Sequence, residues 1–76
     1  MSAPEMSAAQ FRDAIEQLET TQLGIADLLG VDGRTARRWA SEGEGARDVP
    51  NPVARFLRYL ISKKQTAAKA LKTLGE

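Results

Sequence analysis

Apolar residues recur at helical spacing in several stretches of this chain, each bracketed by residues that start or stop helices. Phe11, Ile15 and Leu18 lie one turn apart, with Arg12, Asp13, Glu16 and Glu19 on the opposite side, which predicts an amphipathic helix. Ser7 and Gln10 ahead of this stripe have the S-x-x-Q spacing of a capping box, in which each side chain satisfies the other's backbone amide. The first helix should therefore begin at Ser7. Thr20 and Thr21 interrupt the pattern, and Thr21 can cap a second helix whose Ile25, Leu28 and Leu29 share a face. Gly30, just past the last apolar pair, is the expected left-handed stop, since a side chain there would strain the backbone.

Asp32 can cap a third helix from Gly33 to about Ala40, only two or three residues after the second has ended. Two short helices joined by a tight glycine-containing turn have the arrangement of a helix-turn-helix. At about 100° per residue, Arg34, Arg37, Arg38 and Ser41 cluster on one side of the third helix and Ala36, Trp39 and Ala40 on the other. The tryptophan should face inward and anchor the helix. "EGEGARDVPNP", with two glycines and two prolines, predicts a loop. A fourth helix from about Asn51 to Ser62 carries the strongest apolar stripe, Val53, Phe56, Leu57, Leu60 and Ile61. Beyond it, Ala67, Ala68, Ala70, Leu71 and Leu74 favour a short fifth helix with Gly75 as its stop, but four lysines leave it little to bury.

Composition narrows what such a chain can do. Seventy-six residues make one small domain, and a domain of this size buries only about 60% of the surface of its unfolded chain. Cysteine and histidine are both absent, which removes disulfides, thiolate ligands and the usual nucleophile, base and zinc chemistries. No cofactor, no metal and no enzymatic activity are expected. The start "MSAPEMSAAQF" lacks the basic and apolar regions of a signal peptide, and no run has the length of a membrane span, so a cytoplasmic protein without membrane association is the expectation. Met1 to Met6, with Pro4 and no periodicity, reads as a loose arm.

The net charge is only +1, but its distribution is uneven. Residues 1–33 hold one basic residue against six acids, a net −5, and residues 34–76 hold ten against four, a net +6. A small domain with this asymmetry can orient in the field of a polyanion. Arg34, Arg37 and Arg38 fit either a solvated face or a surface that meets nucleic acid, since arginine can fork onto guanine O6 and N7 in the major groove. Glu42, Glu44 and Asp48 lack the spacing of a calcium loop, and the G-x-G of "GEGARD" lacks the strand and lysine of a phosphate-binding loop.

The stretch "TQLGIADLLGVDGRTARRWAS" resembles the helix-turn-helix of the Cro and phage-repressor family, the XRE-like regulators, and the resemblance extends over roughly Ser7 to Ile61. It implies an all-α, compact bundle of four to five helices of the lambda-repressor kind. It further implies that Gln22 contacts a DNA phosphate, that Ala26 is the small residue where the two helices cross, and that Gly30 is the turn glycine. The family's base-reading positions fall on Gly33, Arg34 and Arg38, with Thr35 and Arg37 beside them as backbone contacts. The chain departs from the pattern at Asp32, where the family has serine or threonine, at Ala36, where it has valine or isoleucine, and in a longer, acidic loop after Trp39.

The expected organisation is thus an arm over 1–6, a helix-turn-helix domain over 7–62 and a basic helix or tail over 63–76. The expected function is that of a double-stranded DNA-binding regulator, a repressor acting as a homodimer on two half-sites. A protein-interaction module with the same fold, such as a toxin-neutralising partner, is the alternative, because a fold does not dictate its use.

Overall fold

Every helix but the fourth begins where a side chain is placed to receive a free amide of its first turn. In the computed structural model, which describes residues 4–74, the elements are α1 (Ala8–Gln17), α2 (Gln22–Leu29), α3 (Gly33–Trp39), α4 (Asn51–Ser62) and α5 (Ala67–Leu74). Among the described residues there is no strand. Ser7 and Gln10 form the reciprocal capping box of α1, with bonds of 2.8 and 3.1 Å. Thr21 accepts from the Gly24 amide at 3.0 Å to start α2, and Asp32 accepts from the Thr35 amide at 2.8 Å to start α3. α4 begins differently, with Pro50 as its cap residue and no side-chain bond, and Pro52 in its first turn, where a missing N–H costs nothing.

Three helices also end alike. After α1, α2 and α4 one residue turns left-handed and the next amide reaches back five residues, Thr20 to Ile15, Val31 to Ala26 and Gln65 to Leu60. Only α2 uses glycine for this, Gly30 at φ 71°; Glu19 and Lys64 hold the same conformation with side chains, both at φ 56°. The position of Gly75, expected as a stop for α5, lies outside the described residues, as do the first three residues of the arm.

The inward faces form one core. Phe11, Ala14, Ile15 and Leu18 of α1 and its end meet Ile25, Ala26 and Leu28 of α2, Ala36 and Trp39 of α3, and Ala54, Leu57 and Leu60 of α4. α2 packs on α3 and on α5, and α1 on α4. Phe11, Ile25, Ala36, Ala54 and Leu57 are fully buried, and no polar or charged residue is buried among those described. The radius of gyration is 11.8 Å, close to the ~11 Å of a compact chain of this length.

Three features differ from the expectations drawn from periodicity. The α4 stripe is centred on Ala54, Leu57 and Leu60, with Val53, Phe56 and Ile61 only partly buried on its flanks. α5, expected to bury little, buries two alanines, Ala67 and Ala70, because side chains that small let its backbone approach; the Ala67 amide donates to the Leu18 carbonyl at 3.0 Å. The arm, finally, is held at its inner end. Met6 is buried, and Glu5 pairs with Arg55 at 3.0 Å and with Arg58, whose guanidinium also donates to the Glu5 carbonyl. Val49 is likewise a core residue, although it comes from the long loop.

Trp39 sits 6% exposed, so Trp39→Ala should destabilise the fold by about 3–5 kcal/mol, read as a lower urea midpoint. Lys64→Gly should act in the opposite sense, by about 0.5–1 kcal/mol, because glycine relieves the left-handed backbone there while adding entropy to the unfolded chain. The same urea titration measures both.

Candidate functional site

α3 is seven residues long, too short to persist unless the rest of the molecule holds it. Five features do so. Gly30 closes the turn before it, and Val31 packs partly buried against the core. Ala26 and Ala36, 2% and 0% exposed, let α2 and α3 approach closely. The Trp39 ring meets Phe11 of α1 edge to face, with centroids 5.8 Å apart and planes at 90°. At the far end, the Arg12 guanidinium of α1 donates to the Ala40 carbonyl at 2.6 Å, placing a positive charge where the helix dipole is negative.

Held in this way, α3 turns Arg34, Arg37 and Arg38 to solvent, and Ala36, Trp39 and Ala40 inward. Ser41 closes the outer arc and donates its hydroxyl to the Arg37 carbonyl at 2.7 Å. Asp32 lies at the head of this arc. Its carboxyl is held below the usual aspartate range, first by the Thr35 amide, then by the Thr35 hydroxyl, with Arg34 and Arg38 adding to the effect. The carboxylate thus caps the helix.

The remaining residues singled out from the sequence fall around the same end of the molecule. Gln22 is the first residue of α2 and is half-buried. Gly33 is the first residue of α3, also half-buried, and a Cβ there would lie 2.8 Å from Cδ2 of Leu23. Leu23 itself is 68% exposed. It falls out of phase with Ile25, Leu28 and Leu29, a large apolar side chain on the polar side of its helix, and that misplacement was legible in the sequence. Arg12 gave no such signal, since its partner Ala40 lies 28 residues away.

The arginines divide into two groups. Arg12 donates to Ala40, Arg47 to the neighbouring Ala46 carbonyl, and Arg55 and Arg58 to Glu5. Arg34, Arg37 and Arg38 form no ion pair and donate no side-chain hydrogen bond among the described residues. The loop after Trp39 stays beside α3, with the Arg47 amide bonded to the Arg38 carbonyl at 3.1 Å. Guanidinium groups presented by an anchored helix, without internal partners among the described residues, can receive a ligand rich in acceptors and negative charge.

Elsewhere the surface is shallow. A depression of about 210 Å³ between α4 and α5 is apolar, lined by Phe56, Tyr59, Leu60, Ala70 and Leu74 among others. Leu71, three residues before Leu74 on α5, borders a second depression beside Thr20 and Gly24. No helix among the described residues is long and apolar enough to cross a membrane, and none of their His, Cys, Asp and Glu side chains gather in threes to hold a metal ion. The chain matches no protein-family model, no curated protein and no solved structure.

The carboxyls of Asp32 and Glu5 both titrate below their ordinary values, Glu5 chiefly through its bond from Arg55. Their contribution to stability is therefore complete above the ordinary carboxylate range, roughly pH 4 to 4.5, and is lost as pH falls through the lowered folded values. Urea midpoints measured from pH 7 down to pH 2 should drop along that acid limb. The limb should be shallower in a chain carrying Asp32→Asn and Glu5→Gln together.

Proposed function

We propose that this chain is a sequence-specific, double-stranded DNA-binding regulator in which α2 and α3 act as a helix-turn-helix and α3 enters the major groove. The observation that carries the reading is the division among the arginines: those outside α3 donate within the chain, and the three on its outer arc have no such bond among the described residues. Arg34 and Arg38 read base edges, each able to fork onto guanine O6 and N7. Gly33, at the head of α3 beside Leu23, marks the start of the base-reading surface. Gln22, at the start of α2, and Arg37 and Thr35 contact the phosphate backbone and set the register. The bundle of five helices suits the lambda-repressor-like arrangement that the sequence resembles, and the acidic loop of Glu42 and Glu44 stays off the DNA.

One such domain reads a short half-site. A homodimer on two half-sites one helical turn apart, acting in the cytoplasm as a repressor that occludes a promoter, completes the proposal. The exposed Tyr59 and Leu74, 58% and 62% accessible beside the apolar depression of α4 and α5, are the surface on which two copies meet. Leu71, three residues before Leu74 on α5 and also exposed, extends that contact.

Selection from a random duplex library supplies the cognate sequence, and titration against cognate and scrambled duplexes at several salt concentrations tests the reading. Arg34→Ala and Arg38→Ala should each cost about 1–3 kcal/mol and relax preference at particular base pairs. Gln22→Ala should weaken binding alike on both duplexes. Arginine variants that bind as the parent does, together with binding that ignores salt, would favour the protein-interaction module instead. Leu74→Lys should abolish cooperativity on a two-half-site duplex while leaving single half-site affinity unchanged.

A further inference from the structure

Leu23 is the most exposed large apolar side chain among those described, and a single exposed leucine on its own means little. Its setting is what distinguishes it. It projects from the outer side of α2, opposite Ile25 and Leu28, and still lies against α3, because its Cδ2 would be 2.8 Å from a Cβ on residue 33. The absence of a side chain on Gly33 is therefore what lets a leucine methyl occupy the head of α3, one residue before Arg34. An apolar group is thus set at the end of an arc that otherwise presents Arg34, Arg37, Arg38 and Ser41, beside Asp32, whose carboxylate is already committed to capping.

We propose that Leu23 reads the C5-methyl group of a thymine next to the base pair engaged by Arg34. This rests on the DNA-binding reading above and adds a specificity determinant to it. Base edges in the major groove carry donors and acceptors, and the thymine methyl is the apolar feature among them. A guanidinium cannot recognise it, and Gly33 has nothing to offer it. The leucine that overhangs Gly33 can bury that methyl against its own, so the reading surface at this point is assembled from two helices, with α2 supplying the side chain that α3 lacks.

The test replaces each thymine of the selected duplex in turn by uracil, which differs only in the missing methyl. The parent should lose about 3- to 5-fold in affinity at one position, the loss corresponding to one buried methyl, and little elsewhere. Leu23→Ala should bind the thymine duplex more weakly and no longer distinguish it from the uracil duplex at that position. Its urea midpoint should match the parent's, since the side chain is exposed. Gly33→Ala, which pushes Leu23 aside, should reduce the same discrimination.

A Leu23→Ala chain that keeps the full thymine preference would overturn the proposal. So would a parent indifferent to every thymine-to-uracil change, and if Arg34→Ala still relaxed specificity in that case, the DNA-binding reading would stand without this contact. A parent that binds no duplex would overturn both.

Discussion

The outward arc of α3 depends on an inward contact, the edge-to-face packing of Trp39 on Phe11. A seven-residue helix has no stability of its own, and most of its hydrogen bonds lie within a turn of an end. The indole supplies what the short backbone cannot, a large apolar surface that fixes both the position and the rotation of the helix about its axis. Ala36 and Ala40 sit on the same inner side and bring the backbone close enough for that contact to form. Rotation of α3 would bury a guanidinium or expose the indole, and either change is costly in a core that holds no buried polar group among the described residues.

Charge is distributed by the same logic. Three of the internally bonded arginines outside α3 serve joints of the fold: Arg12 ties α1 to the end of α3, while Arg55 and Arg58 tie α4 to the segment ahead of α1. The Glu5 pairing is exposed to solvent and contributes little energy, but it fixes where Met6 enters the core. Lys63 lies over the Tyr59 ring at 5.8 Å, so part of the basic surface at the end of α4 is also engaged locally.

What was legible in the sequence is what is decided locally. The caps at Ser7, Thr21 and Asp32, the stop at Gly30 and the inward turn of Trp39 each follow from residues within one or two helical turns, and each is found where expected. Contacts between distant parts of the chain left no such trace. Val49 and Met6 enter the core from segments without periodicity, and Arg12 meets Ala40 across 28 residues. The burial of α5 was underestimated because alanine scores as a weak apolar residue in a pattern, although its small size is what admits close backbone approach. At the candidate site, the exposed arc of α3 followed from helical angle alone; that it is free of internal partners depends on where every other charged group goes, which periodicity does not record.

The division of α3 into two arcs has an evolutionary consequence. Ala36, Trp39 and Ala40 hold the helix from its inner side, whereas the side chains of Arg34, Arg37 and Arg38 form no hydrogen bond or ion pair among the described residues, Arg34 and Arg38 adding only their charge beside the Asp32 cap. Substitutions on the outer arc are therefore close to additive with those inside and nearly neutral for stability. A lineage built on this scaffold can drift to new partners by changing three or four side chains, without first acquiring compensating mutations in the core. The head of the helix is less free, because any side chain at position 33 would displace Leu23.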